Sequence, residues 1–178
     1  MKIIFLHGPP GVGKFTIAKE LSRITKYKVV HIHDFYDAIA NIFTEKYYEN
    51  IIEILDKHFL EIFKLCAKLN FKGIILTYAE IEKNNFAFPK AIIKMMKKYN
   101  SIVHFVAISC NKKELYKRVI NPSRKKSYKT SNKKELIWIM KKHDFSKRVP
   151  GVKTLEIDNT NLSPKKVAKI IKKNLKLK

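Results

Sequence analysis

The chain has almost no cysteine, few acids and very little arginine. Its two cysteines, Cys66 and Cys110, stand far apart without C-x-x-C spacing, which argues against a disulfide framework and against a cysteine-based zinc site. No apolar run approaches the length of a bilayer span. The opening stretch "MKIIFLHGPP" is apolar only briefly and stops at a Gly-Pro-Pro turn instead of a small-residue cleavage site. It therefore reads as a first buried strand and a poor signal peptide. A reduced, cytoplasmic protein without membrane contact is the expectation. No repeat and no Gly/Ser linker divides the 178 residues, a length that suits one domain, residues 1–178, with its own core. Apolar residues at 46% and charged residues at 30% give an ordinary globular balance.

The shortage of acids, 15 Asp and Glu against 38 Lys and Arg, leaves a formal net charge of +23. Such an excess invites a nucleic-acid partner, since a basic surface gains from releasing counterions off phosphates. The lysines, however, are spread over the whole chain instead of forming one stripe, and Ile and Asn are abundant too. Biased base composition alone produces that combination, so a solvated basic surface is the preferred expectation. Only Arg23, Arg118, Arg124 and Arg148 are arginines. Where so lysine-rich a chain keeps Arg, the planar five-donor fork is expected to do something Lys cannot.

What is present is a regular alternation. Apolar, β-branched runs at 2–7, 27–33, 72–79, 102–109 and 152–158 predict five strands. Between and after them, helical periodicity predicts helices over 14–25, 35–46, 47–69, 86–98, 112–120, 133–143 and 163–175, the last capped by Ser163 with Pro164 at its first position. Residues 121–132 form a polar, basic loop. Strands alternating with helices imply an α/β fold, a parallel sheet covered on both faces with every strand's C-terminal end on one edge. Ligands bind along that edge.

One stretch on that edge carries chemistry by itself. "GPPGVGKFT", residues 8–16, follows the first strand and opens the first helix. Gly8, Pro9, Pro10, Gly11, Val12 and Gly13 lead into Lys14, the register of a P-loop. Glycines let backbone N–H groups converge on an anion, the helix adds its positive end, and the lysine pairs with β- and γ-phosphates. One letter is out of place. The Mg²⁺-binding hydroxyl that normally follows the lysine is replaced by Phe15, and the hydroxyl comes one residue late, as Thr16.

This loop resembles that of the adenylate-kinase-like P-loop kinases, which reads G-x-x-G-x-G-K-x-T. The order of "HIHD", "GIILTYA", "VAISCNKKELYKRV", "SRKKSYK" and "LEIDNTNLSPKKVAKII" extends the likeness over nearly the whole chain. It is similar to small bacterial P-loop kinases of shikimate-kinase-like and chloramphenicol-phosphotransferase-like type, and to uncharacterised AAA-family ATPases. The resemblance implies a three-layer α/β/α P-loop fold with a five-stranded parallel sheet of order 2-3-1-4-5 and a lid near residues 119–133. It further implies ATP and Mg²⁺ as cofactors and a small-molecule or nucleotide acceptor, in a monomer or homodimer.

The candidate site residues follow. Lys14, Arg118 and Arg124 are candidates to neutralise charge on the transferring phosphoryl group, the arginines by bidentate contact. Arg148 either reaches phosphate or is an ordinary surface residue. Asp34 is a candidate base, or a Mg²⁺ ligand through water, or a helix N-cap, with Asp37 three residues on. Thr16 is a candidate for phosphate and Mg²⁺; Asn159 and Thr160, after the fifth strand, are candidates for the base pocket. His31 and His33 are expected on one side of the second strand, the latter as a substrate contact. The third strand lacks the Asp of Walker-B-type proteins and offers Thr77 and Glu80. Phe35, Tyr36, Phe43, Tyr78, Phe86 and Phe88 are expected in the core. Two rival functions stay open: a polynucleotide 5′-end kinase, and a nucleotide-binding regulator with little turnover.

Overall fold

A computed structural model of the 178-residue chain describes residues 1–40, 42–43, 47–79, 83–126 and 129–178, with the backbone alone at 40, 48, 49, 83, 125 and 126. Glu80 and part of the 119–133 segment thus lie outside the described residues. The strands are β1 (Lys2–His7), β2 (Lys28–His31), β3 (Gly73–Thr77), β4 (Ile102–Ser109) and β5 (Thr154–Asp158). All neighbours pair in parallel, in the order β2-β3-β1-β4-β5. The helices are α1 (Lys14–Thr25), α2 (Ile32–Ala40), α3 (Tyr48–Lys68), α4 (Lys83–Lys97), α5 (Lys112–Val119), α6 (Lys133–Lys142) and α7 (Pro164–Asn174).

Strand alternation sorts the core into two layers. Ile3 and Phe5 of β1, Ile74 and Leu76 of β3 and Phe105 of β4 face one side, where they meet Phe59 and Phe63 of α3 and Ile92 and Met96 of α4. Ile4, Leu6, Ile75, Val106 and Ile157 face the other and pack on α1, α5, α6 and α7. With helices on both faces, the strands read as near-continuous apolar runs, which is why they were visible in sequence.

Three local differences from expectation have physical causes. The strand predicted over 27–33 stops at His31, the last residue paired to β3, opposite Thr77. Helix α2 begins at Ile32, so His33 and Asp34 ride on its first turn. Asn84, Asn85 and Phe86 adopt left-handed backbone angles at the start of α4, so regular helix begins beyond them and Pro89 falls in a first turn where its missing N–H is harmless. Tyr36, Tyr78, Phe86 and Phe88 are buried as expected, whereas Phe35 and Phe43 are exposed at 38% and 43%.

Phe59 is fully buried between Phe35, Phe63 and Phe88, with ring centroids 5.0, 5.9 and 6.4 Å away. Phe59→Ala is expected to lower unfolding free energy by about 3–5 kcal/mol in urea titration, the cost of a large core cavity. Trp138→Ala, at a ring exposed by 60%, should change it by no more than about 0.5 kcal/mol.

Candidate active site

Strand β1 lies at the centre of the sheet, between β3 and β4, and its C-terminal end passes directly into the glycine-rich loop. Gly8, at φ +138°, runs so close to β4 that any Cβ would overlap the Ile108 carbonyl. Gly13, at φ +98°, is the N-cap of α1 and turns the chain into the helix that Lys14 begins. Both angles lie where a Cβ is strained, so glycine is required to bring backbone amides to the positive end of α1. The Lys14 ammonium curls over the loop and donates to the carbonyls of Gly8 at 2.6 Å and Pro9 at 2.9 Å. Pro9 is buried, Pro10 and Gly11 are half-buried, and Thr16 is exposed on the first turn of α1.

The loop is fixed from outside by two distant residues, Asn159 and Arg118. Val12 is fully buried, and its carbonyl accepts from Asn159 Nδ2 at 2.9 Å and from Arg118 Nη1 at 3.1 Å. Arg118 also donates to Asn159 Oδ1, to the carbonyls of Asn159 and Thr160, and through Nε to Glu114 at 2.8 Å. All five donors of its guanidinium are thereby engaged. Asn159 in turn donates its backbone N–H to Ser109 at the end of β4. The structure places Arg118 and Asn159 beneath the loop as its scaffold, with Arg118 committed to protein acceptors rather than open to phosphate. Thr160 is likewise committed, donating to Asp158 Oδ1 at 2.6 Å and accepting from the Asn111 N–H at 2.9 Å. Arg148 is tied to Glu156 and to the carbonyls of Phe145, Ser146 and Lys147.

Above the loop lies a different group. Phe15 stacks on His31 with centroids 4.2 Å apart and planes 17° from parallel. His31 Nδ1 shares a 2.6 Å hydrogen bond with the Thr77 hydroxyl. The ammonium groups of Lys19 and Lys129 stand over the Phe15 ring at 4.5 and 5.1 Å from its centroid. Arg124 is held by its Nε–H on the Thr130 carbonyl at 2.8 Å. Asp34 is exposed on the first turn of α2, correcting its expected place at a strand end; a carboxylate there favours the helix dipole.

Three rings, those of His7 and His31 buried and that of His33 half-buried, share the resulting cationic field. Burial, helped by Arg148 and Lys14, holds His7 down from its ordinary 6.5 to about 3. Burial first, then His33, Lys129, Lys14 and Arg124, takes His31 to about 2. Burial with Lys129, Lys14 and Arg124 takes His33 to about 3. All three are neutral at physiological pH, so the 3.9 Å approach of His33 to Asp37 is not an ion pair. Nε2 of His7, Nε2 of His31 and Nδ1 of His33 are buried without a hydrogen-bond partner. Sequence reading singles out His31 and His33 and places Lys129 beside Arg124 in the basic loop, but misses His7 and Lys19. The alternation of Phe5 and His7 along β1 was the one signal that pointed His7 to the α3 side of the sheet.

In the G-x-x-x-x-G-K-[ST] form of the P-loop, Mg²⁺ takes a hydroxyl directly after the lysine and a carboxylate from the third strand. Here the first place holds the Phe15 ring, and the second holds Thr77, bonded to His31. Among the described residues, no group of three or more His, Cys, Asp or Glu is arranged to hold a metal. Phe15 and Thr77 therefore give Mg²⁺ no direct carboxylate or post-lysine hydroxyl ligand, while Thr16 and Asp34 lie exposed on the first turns of α1 and α2.

Two outcomes follow. Asn159→Ala removes one of the two donors to the buried Val12 carbonyl and an acceptor of Arg118, so it should destabilise the fold by about 2 kcal/mol in urea. An asparagine serving only a base pocket would leave the midpoint unchanged. The three rings stay neutral when folded but gain protons on unfolding below 6.5. Stability should therefore fall as pH drops from about 6.5 toward 3, by up to about 1.4 kcal/mol per pH unit per ring. Denaturation at several pH values, repeated with His31→Asn, should show a shallower slope in the variant.

No protein-family model matches the sequence, and no curated protein matches it. Solved structures do. The chain is similar to a sugar kinase from Janibacter sp., with 13% identity, 99% of this chain and 95% of that one covered, and a TM-score of 0.70. It is similar to the tunicamycin resistance protein of Deinococcus radiodurans (14% identity, 99% and 96% covered, TM-score 0.66). It is also similar to shikimate kinase from Aquifex aeolicus (17% identity, 99% and 96% covered, TM-score 0.56). At such identities the likeness is one of fold: the chain has the five-stranded, 2-3-1-4-5 α/β fold of the small P-loop kinases.

Proposed function

We propose that the chain is a single-domain nucleotide-dependent phosphotransferase, passing the γ-phosphoryl group of ATP to a hydroxyl or phosphate of a small molecule. The observation that carries this reading is the loop at Gly8–Lys14. It turns through Gly13 into the head of α1, on the strand-end edge of the sheet, with the Lys14 ammonium already folded over it. Structural neighbours with kinase chemistry in their names, a sugar kinase, a gluconokinase and shikimate kinases, support the class. The segment around 119–133, bearing Arg124 and Lys129, serves as a lid over the phosphates.

In this reading the loop amides and Lys14 hold the β- and γ-phosphates; the loop backbone needs no reorganisation because Arg118 and Asn159 have already set it, and Lys14 exchanges the Gly8 and Pro9 carbonyls for phosphate oxygen. Arg124 and Lys129 offset charge spreading over the transferring group. The acceptor enters beside α2, where His7 and His33 offer neutral ring nitrogens and Asp34 accepts the proton of its hydroxyl. Neutral rings suit hydroxyl recognition, since either tautomer leaves one donor and one acceptor nitrogen.

The replacement of the third-strand acid by Thr77 favours one second reading, a regulator that binds nucleotide with little turnover. Labelled γ-phosphate should move to at least one acceptor in a panel of nucleosides, nucleotides, sugars, other small metabolites, antibiotics and oligonucleotides. Binding without transfer to any member would select the regulator. Transfer confined to oligonucleotide ends, with steep salt dependence, would select a polynucleotide kinase. Lys14→Ala is expected to abolish transfer while keeping unfolding free energy within about 1 kcal/mol of the parent.

A further inference from the structure

The residue after Lys14 is an aromatic ring, and its surroundings have their own chemistry. Phe15 and His31 form a stack against Thr77, at the two positions where the G-x-x-x-x-G-K-[ST] form carries a hydroxyl and a carboxylate. Over the same ring stand Lys19 from α1 and Lys129 from the segment between α5 and α6. Lys129 is half-buried and within electrostatic reach of Arg124 and Lys19, which repel it, and of Asp37 and Asp34, which attract it. Three cations brought together beside Lys14 carry a repulsive cost that a bound polyanion relieves. An ammonium facing the acids of α2 and leaning on an aromatic ring occupies the electrostatic role of a bridging cation.

We infer that this site takes its nucleotide as the metal-free polyphosphate, with Lys129 and Lys19 on the Phe15 platform supplying the positive charge that Mg²⁺ supplies elsewhere. The inference rests on the nucleotide reading above and goes beyond it. A metal-free triphosphate is more negative than its magnesium complex, and so gains more from ammonium groups at short range. Phe15 contributes no ligand itself; it holds two ammonium groups near the phosphates.

Calorimetric titration of the full chain with ATP, once in excess EDTA and once in excess Mg²⁺, tests this. The affinity in EDTA should equal or exceed that in Mg²⁺. Lys129→Met, which keeps the apolar stem, should weaken binding about tenfold in EDTA and less in Mg²⁺. Phe15→Ser, which removes the platform and restores a hydroxyl after Lys14, should make binding stronger with Mg²⁺ than without. Folding of each variant is checked by its urea midpoint. Wild-type binding that Mg²⁺ strengthens by about tenfold or more, a difference of about 1.4 kcal/mol, overturns the inference while leaving the nucleotide reading intact. Equal EDTA affinities for wild type and Lys129→Met also overturn it. No binding in either buffer overturns the nucleotide reading, and this inference falls with it.

Discussion

The carbonyl of Val12 is the point on which the site depends. A loop that gathers N–H groups toward an anion leaves its carbonyls pointing backwards, into the protein, where each needs a donor. Asn159 and Arg118 meet that need together and also bind each other, so the loop, the turn after β5 and helix α5 are one hydrogen-bonded unit. Glu114 closes the unit by holding Arg118 Nε from the preceding turn of α5. The loop is thereby shaped by a scaffold of residues that need not touch a ligand.

The upper side follows the opposite logic. The scaffold satisfies nearly every polar atom, whereas the mouth leaves three neutral histidine nitrogens without partners and gathers Lys14, Lys19, Lys129 and Arg124. Unsatisfied buried nitrogens and crowded cations both cost stability, and both costs fall when an anion and a hydroxyl-bearing molecule enter. The low proton affinity of the rings is a consequence first of burial and then of this crowding. It keeps their nitrogens able to accept as well as donate across the physiological range.

Much of this was readable from sequence because it is local. Five apolar runs, a glycine-rich turn and a lysine at the head of an amphipathic helix gave the sheet, its functional edge and the loop. The boundary at residues 31–34 was misplaced, since "VVHIH" satisfies strand alternation while the pairing with β3 stops at His31. Arg118 was marked because arginine is rare here, but its role was hidden. Val12 and Asn159 lie 106 and 41 residues away in sequence, and only the sheet order brings them to it. Phe15 was visible as a misfit, yet its meaning required β2 to lie beside β3, so that His31 could bond Thr77 and offer its face.

Fold and site thus divide the work: the sheet sets an edge, the Arg118–Asn159 scaffold sets the loop, and the phosphate chain of the proposed function would lie between the loop and its cationic mouth. The most direct test is a crystal structure of the full chain with a non-hydrolysable ATP analogue. The account predicts the β-phosphate within the arc of amides from Gly11 to Phe15, Lys14 Nζ transferred from the Gly8 and Pro9 carbonyls to phosphate oxygen, and the Arg118–Asn159–Val12 bonds unchanged. A nucleotide seated elsewhere on the molecule, or a loop that must break those bonds to receive it, would contradict the account.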